Sequence, residues 1–343
     1  MTIPEVSFFD GDDEAAAAEE LARLLDKLGI ESPYVVASVH GLRLASALKT
    51  VAEPETPGGA ADQAWAADLG SRAHRAGADA IVAVGGGRCI DVAKLAAARA
   101  GLSLVSVPTQ LSHDGICSPV AVVPNAQGRS ESLGAVEPHA VFLSLPTIAG
   151  APQESLSAGI GDLLANPWAL RDWQLATHRG LEEIDRRAWE MSQQAFERVE
   201  HYLEAATDEL AGNRRFLRDL GDALILSGVA MLESGTSRPA SGGEHEISHA
   251  IDHLHGGRAL HGAQVAFGCI ISAALYDDNT EALRVRLRRL GLPEHPSDLG
   301  LDADQTVEVL LEAPNTRPGR FTIIEATDLD ETRARSLVER IWG

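Results

Sequence analysis

Histidines crowd residues 244–262, EHEISHAIDHLHGGRALHG, where five of the chain's twelve fall: His245, His249, His253, His255 and His261. Residues i and i+4 share one face of a helix, so HEISH can aim His245 and His249 into a single site. Neutral imidazole is also the commonest protein ligand for a metal. The run matches H-E-x-x-H, the zinc helix of many metalloproteases, with Glu246 as general base and His255 as a third ligand. The extended protease pattern requires a glycine midway to that third histidine, and Asp252 stands there instead.

A second ligand set draws on separated segments. SAGIGDLLANPWALRDW places Asp162 after a glycine-rich stretch, where it is expected to start a helix, and ALHG places His261 at the start of another. With His245 they give one carboxylate and two imidazoles. Three protein ligands and an open fourth position are what a catalytic metal needs, since a substrate oxygen then fills the gap. Taken alone, Asp162 would most often be a helix cap. His253 and His255 are expected to face solvent or to be structural.

A second chemistry is carried by AIVAVGGGRCIDVAK, which reads as a buried strand, then Gly85, Gly86 and Gly87, then a helix start. Glycine lets a ligand approach the backbone closely, and amides at a helix N-terminus attract phosphate. The stretch is not G-x-G-x-x-G, and it fits an unliganded tight turn as well. The next strand ends in VPTQLSHDGICSP, which sets Thr109, Ser112, Asp114 and Ser118 just past its C-terminal end. Open α/β sheets bind ligands at that edge, so a dinucleotide lying across both loops accounts for the two together.

These residues need elements to position them. PYVVASV (33–39), AIVAVGGG (80–87), LSLVSVP (102–108) and AVFLSL (140–145) read as strands, being β-branched-rich and bounded by Gly or Pro. ADQAWAADLGSRAHRAG and CIDVAKLAAARAG between them read as helices, each closing on a glycine suited to a C-cap. Alternation of this kind implies a parallel sheet covered on both faces. Beyond about residue 150 the pattern turns helical, over 153–178, 181–208, 214–233, 262–276, 280–290, 304–312 and 331–341. The expected organisation is an α/β domain over 1–150 and an all-α domain over 151–343.

Composition narrows the partners. The formal net charge is −21 and no basic cluster occurs, which argues against nucleic acid and anionic membranes. No apolar run approaches the roughly 20 residues of a membrane span. Cys89, Cys117 and Cys269 form no C-x-x-C pair and, with no signal-peptide pattern at the N-terminus, suggest a reduced, cytoplasmic setting.

The blocks VAVGGGRCIDVAK, VPTQLSHDGICSPVA, SAGIGDLLAN…RDW, SRPASGGEHEISHAID, LHGAQVAFG and GRFTII follow one another between about residues 80 and 324. In that order they resemble the glycerol-1-phosphate dehydrogenases, within the iron-containing alcohol dehydrogenase and dehydroquinate synthase-like superfamily. The resemblance implies a Rossmann-like dinucleotide-binding domain, a helical metal- and substrate-binding domain, and an active site in the cleft between them. It carries the metal onto Asp162, His245 and His261, and substrate contacts onto Asp114 and His249. It carries NAD or NADP onto Gly85, Gly86, Gly87, Thr109, Ser112 and Ser118.

The activity so implied is NAD(P)H-dependent reduction of dihydroxyacetone phosphate to sn-glycerol 1-phosphate on one divalent metal, zinc first, with nickel or iron as alternatives. A small triose phosphate substrate and a homo-oligomer are expected. The alternative is a related metal-dependent polyol or alcohol dehydrogenase acting on an unphosphorylated substrate. A dehydroquinate synthase-like lyase is disfavoured by an aspartate as first ligand, and a non-catalytic cofactor-binding protein by the complete ligand set. Two departures lie beside the site: His261-Gly262-Ala263 replaces the usual HGE, and His113 precedes Asp114. A phosphate in so acidic a chain needs local cations, for which Arg238 in SRPASGG, then Arg258, are the candidates.

Overall fold

Near-continuous apolar strands separated by amphipathic helices give the N-terminal half its layers. The computed structural model describes residues 3–58, 61–128, 130–210 and 212–343. In chain order this half contains β1 (Glu5–Phe9), α1 (Glu14–Lys27), β2 (Pro33–Ala37), α2 (Gln63–Arg75), β3 (Ala80–Gly85), α3 (Gly87–Ala100) and β4 (Ser103–Pro108). A hairpin of β5 (Val120–Pro124) and β6 (Ser130–Gly134) follows, then β7 (Ala140–Ser144) and the short α4 (Leu145–Ala149). The main sheet has the order β1-β7-β4-β3-β2 and is parallel throughout.

Successive strand residues point to opposite faces, and the core divides accordingly. Val35, Ala37, Val82, Val84, Val105 and Phe142 pack with Leu21 and Leu25 of α1. Tyr34, Val36, Ile81, Ala83 and Leu104 pack on the other face with Leu69, Ile90 and Ala93 of α2 and α3. Gly77 and Gly101, the expected helix caps, take positive φ of 73° and 64°. The sequence reading had not marked β1 or the hairpin. The hairpin sits outside the main sheet, where Ala121 and Val123 cover Val92 and Leu95 of α3.

The C-terminal half is helical: α5 (Gln153–Leu163), α6 (Asn166–His178), α7 (Arg186–Val199), α8 (Thr207–Leu210), α9 (Arg214–Ser234), α10 (Gly243–His255), α11 (His261–Leu275), α12 (Thr280–Arg289), α13 (Ala303–Thr316), α14 (Ile323–Thr327) and α15 (Glu331–Trp342). The helix expected over 153–178 is two, because Pro167 near the start of α6 has no N–H to return to the preceding turn. The helix expected over 181–208 begins only at Arg186, capped by Asp185, and gives way to a 3-10 turn at Glu200–Glu204 before α8. Leu156, Ile160, Leu220, Ile247 and Phe267 of these helices continue the sheet-face core of α2 and α3, so both halves close on one apolar interior. Among the described residues, no helix is long and apolar enough to cross a membrane.

Candidate active site

Asp162 is the penultimate residue of α5, not the first residue of a helix as its glycine-rich approach suggested. The glycines serve packing instead. A Cβ on Gly161 would overlap the carbonyl oxygen of Gly262, and one on Gly262 would overlap that of Ala158. Backbones of α5 and α11 therefore meet without intervening side chains, and Asp162 comes to face His261, the first residue of α11. His245 arrives from the first turn of α10.

The three side chains form one cluster whose ligand atoms all lie within 4.8 Å of one another. Nε2 of His245 and Nε2 of His261 are each 3.8 Å from Oδ1 of Asp162. That oxygen is buried and has no hydrogen-bond partner, whereas Oδ2 accepts the backbone N–H of Asp114 at 2.8 Å. The other ring nitrogens are engaged: Nδ1 of His245 lies 3.1 Å from Oε1 of Glu244, and Nδ1 of His261 lies 3.4 Å from the Ser248 hydroxyl. Engaged outer nitrogens and an orphaned buried oxygen fit a divalent metal, since metal-ligating histidines present one nitrogen and anchor the other. The mixed N/O donors suit zinc, nickel or iron alike.

Electrostatics agree with that fit. Burial, with the charges of Asp114 and Glu244, pushes the Asp162 carboxyl well above the usual range. Burial, with Arg317 and Arg320 nearby, holds His245 well below the ordinary imidazole value, and burial with His245 and Arg317 holds His261 down to about 3. These shifts disfavour charge on all three groups, and a cation held between them would favour the Asp162 carboxylate instead.

The cluster opens on a cavity of about 620 Å³ whose other wall is the C-terminal edge of the sheet. Gly87, Arg88, Gln110, Ser112, His113, Asp114 and Ser118 line that wall, and the hairpin adds Val122 and Ser132 to it. Gly86 caps α3 without a side chain, so the first amides of the helix are left open to an anion. Lys94 fixes the loop after β4: fully buried, it donates to the carbonyls of Gly115 (2.9 Å) and Val120, beside Asp91 at 3.7 Å.

Residues singled out from the sequence fall into three groups. Asp162, His245 and His261 converge, and Gly87, Ser112, Asp114, Ser118 and His249 line the same cavity. Gly85, Gly86 and Thr109 lie one step behind its wall: Gly85 ends β3 and accepts the Thr109 N–H at 3.0 Å, and Gly86 abuts the Gln110 side chain. Arg238 is corrected outright as a cation for a phosphate. It is 2% exposed, its guanidinium grips Glu182 through Nε and Nη2, and it donates to the Phe321 carbonyl at 2.9 Å. Arg258 is exposed and lies outside the cavity lining.

The sequence reading missed Glu244, Lys94 and Arg317. Glu244 adjoins His245, and Lys94 follows the glycine turn in a matching block. Arg317 was legible only as a residue two places before GRFTII. It lines the cavity with Nη2 3.0 Å from Nε2 of His249. A guanidinium only donates, so Nε2 of His249 accepts and its ring proton sits on Nδ1.

Two histidines and an aspartate that could hold a metal, facing the bare helix terminus of a parallel sheet, combine what a metal-dependent enzyme using a dinucleotide needs. The profile of the iron-containing alcohol dehydrogenase family matches residues 13–152. The glycerol-1-phosphate dehydrogenase (NAD(P)+) of Methanocorpusculum labreanum is 37% identical over 270 residues, 79% of this chain and 74% of that one. That of Thermofilum pendens is 35% identical over 324 residues, 93% and 92% of the two chains. In fold, the chain is similar to a probable glycerol dehydrogenase from Sinorhizobium meliloti, with TM-score 0.80 and 23% identity over 98% of this chain and 96% of that one. The chain belongs to the glycerol-1-phosphate dehydrogenase family.

Proposed function

We propose that the chain reduces dihydroxyacetone phosphate to sn-glycerol 1-phosphate, with NADH or NADPH as hydride donor and one divalent metal, zinc first, held by Asp162, His245 and His261. The observation that carries this reading is the partnerless Oδ1 of Asp162, buried 3.8 Å from two imidazole nitrogens at the cavity that also meets the open α3 terminus. Residues 1–150 then form the dinucleotide-binding half and 151–343 the metal- and substrate-binding half.

When bound, the metal supplies Lewis-acid stabilisation of the negative charge that grows on the substrate oxygen as hydride arrives at carbon. The chain's own groups do the rest. Gly85, Gly86 and Gly87 shape the turn that lets the pyrophosphate reach the α3 amides, and Thr109, Ser112 and Ser118 offer hydroxyls along the neighbouring loop. The Ser227 hydroxyl donates to Oδ2 of Asp114 at 3.0 Å, which leaves Oδ1 for a substrate hydroxyl. Burial lifts its pKa to about 6 even with Ser227 and Lys94 opposing. His249 holds its proton on Nδ1 and can hydrogen-bond the substrate oxygen, while the proton that completes the alcohol is taken from water.

The test is a substrate panel on enzyme loaded in turn with zinc, nickel or iron(II). Dihydroxyacetone phosphate and dihydroxyacetone are each run with NADH and NADPH, and glycerol with NAD+ and NADP+. Reduction of the phosphate ester is expected at about 100-fold or more higher kcat/KM than dihydroxyacetone, with sn-1 product. His245→Ala should lose both metal and turnover. Equal rates on dihydroxyacetone would instead make this a polyol dehydrogenase, and full activity of His245→Ala would remove the metal assignment.

A further inference from the structure

We infer that Arg317, aligned by Ser237 and flanked by Arg320, recognises the substrate phosphate and sets the preference for a phosphorylated triose. This deepens the proposed reduction of dihydroxyacetone phosphate and rests on it. Cations near the cavity are few. Arg238 is spent on Glu182, and Arg88 belongs to the opposite, sheet-edge wall. Arg317 comes from the turn after α13, which Gly319 permits at a φ of 87°.

Its neighbours use little of its capacity. Nη1 donates to the Ser237 hydroxyl at 2.9 Å, and Nη2 to His249 at 3.0 Å. A guanidinium has five N–H donors, so three remain. Arg320 donates to the same Ser237 oxygen at 2.9 Å and to the Ser241 carbonyl. Ser237 Oγ thus spends both lone pairs on two cations, and its own proton has no acceptor among the described residues. Ser237 and Arg317 line one cavity, so a free hydroxyl donor and a half-used guanidinium stand side by side.

Among the described residues neither arginine makes a close ion pair; the charges of Glu244 and Glu246 reach both only at longer range. Holding a charge away from water without a close counter-ion is costly, and a bound anion offsets that cost. Arg also offers a planar fork that matches phosphate oxygens two at a time. Distance agrees: the His249 and His261 ring centres are 6.1 Å apart, and Arg317 lies just beyond His249. A triose phosphate spans on the order of 5 Å from keto oxygen to phosphorus by ordinary bond lengths. With one end at the Asp162–His245–His261 cluster, a molecule of that length extends past His249 along the side of the cavity that Arg317 lines.

The experiment compares wild type, Arg317→Met, Arg317→Lys and Ser237→Ala, each loaded with metal, its metal content measured. Rates are taken on dihydroxyacetone phosphate and on dihydroxyacetone, with inorganic phosphate as inhibitor. Arg317→Met should raise KM for the phosphate ester and Ki for inorganic phosphate about 100-fold, collapsing the ratio of kcat/KM between the two substrates. Arg317→Lys, a charge without the fork, should recover part of that loss. Ser237→Ala, which keeps both arginines, should raise KM and Ki about 5-fold and stands as the test should Arg317→Met not fold.

An equal fall on both substrates would make Arg317 structural and overturn the inference. Phosphate inhibition unchanged in Arg317→Met and Ser237→Ala would overturn it too. Both leave the proposed reaction standing if wild type still prefers the phosphate ester. A wild type that ignores the phosphate ester overturns the proposed reaction first, and this inference with it.

Discussion

A metal-ligating histidine has two nitrogens, and the one facing away from the metal decides how firmly the ring is held. For His245 that outer nitrogen meets Glu244, a fully buried carboxylate whose Oε1 also accepts the Gly242 N–H at 2.5 Å. Glu244 thus ties the first turn of α10 to the ring it carries. Glu244→Ala should weaken metal binding about 10- to 100-fold, measured by chelator competition, while Glu244→Gln, which keeps an acceptor oxygen, should lose less. Equal metal affinity in Glu244→Ala and wild type would show the contact to be incidental. The same residue scale separates Arg238 from Arg317. Both are arginines in or beside matching blocks, and only their partners reveal that Arg238 is tied to a carboxylate and Arg317 is not.

Among elements, the pairing of α5 with α11 does most to assemble the site. Gly161 and Gly262 let the two backbones touch, which sets Asp162 and His261 opposite each other. Gly262→Ala must push the helices apart, because its Cβ would overlap the rigid Ala158 carbonyl. The expected cost is about 1–3 kcal/mol, as for other overpacked interiors, with a fall in metal affinity in the same variant. Thermal melts with and without metal check both, and wild-type values in each would show that the contact relaxes freely. This pairing was not legible in the sequence, where the glycines of SAGIGD read as the approach to a helix start. The four apolar strands were legible, since a parallel sheet buried on both faces demands near-continuous apolar runs. The strand Glu5–Phe9 and the hairpin were not, because their half-exposed residues dilute that signal.

For the whole molecule, buried carboxylates tie stability to pH. Burial lifts Asp91 to about 6 despite Lys94, and burial with the charge of Glu244 lifts Asp172 to about 7. A raised carboxyl binds its proton more tightly folded than unfolded. Its stabilisation is full below the unfolded value near 4 and is lost as pH rises through the folded one. Metal-free protein should therefore lose on the order of a few kcal/mol between pH 5 and pH 8. Melting temperature across that range is the measurement, and Asp172→Asn should flatten the fall above pH 6. A melting temperature that climbs with pH would refute this.

By itself the sequence determined the layered α/β half, the helical half, the glycine turn and a cluster of histidines able to bind metal. Those features depend on patterns a few residues long, which local geometry converts directly into faces and turns. Only the tertiary structure decided which side chains act together. Asp162 and His261 lie far apart in the chain and meet because two helices touch through glycine. His245 and His249 share a helix face, yet only His245 points Nε2 at the Asp162 carboxylate, while His249 turns its own toward Arg317. Which histidine joins Asp162, which meets Arg317 and which arginine grips a carboxylate depend on burial and on partners, and those come from packing between segments, not from spacing within one.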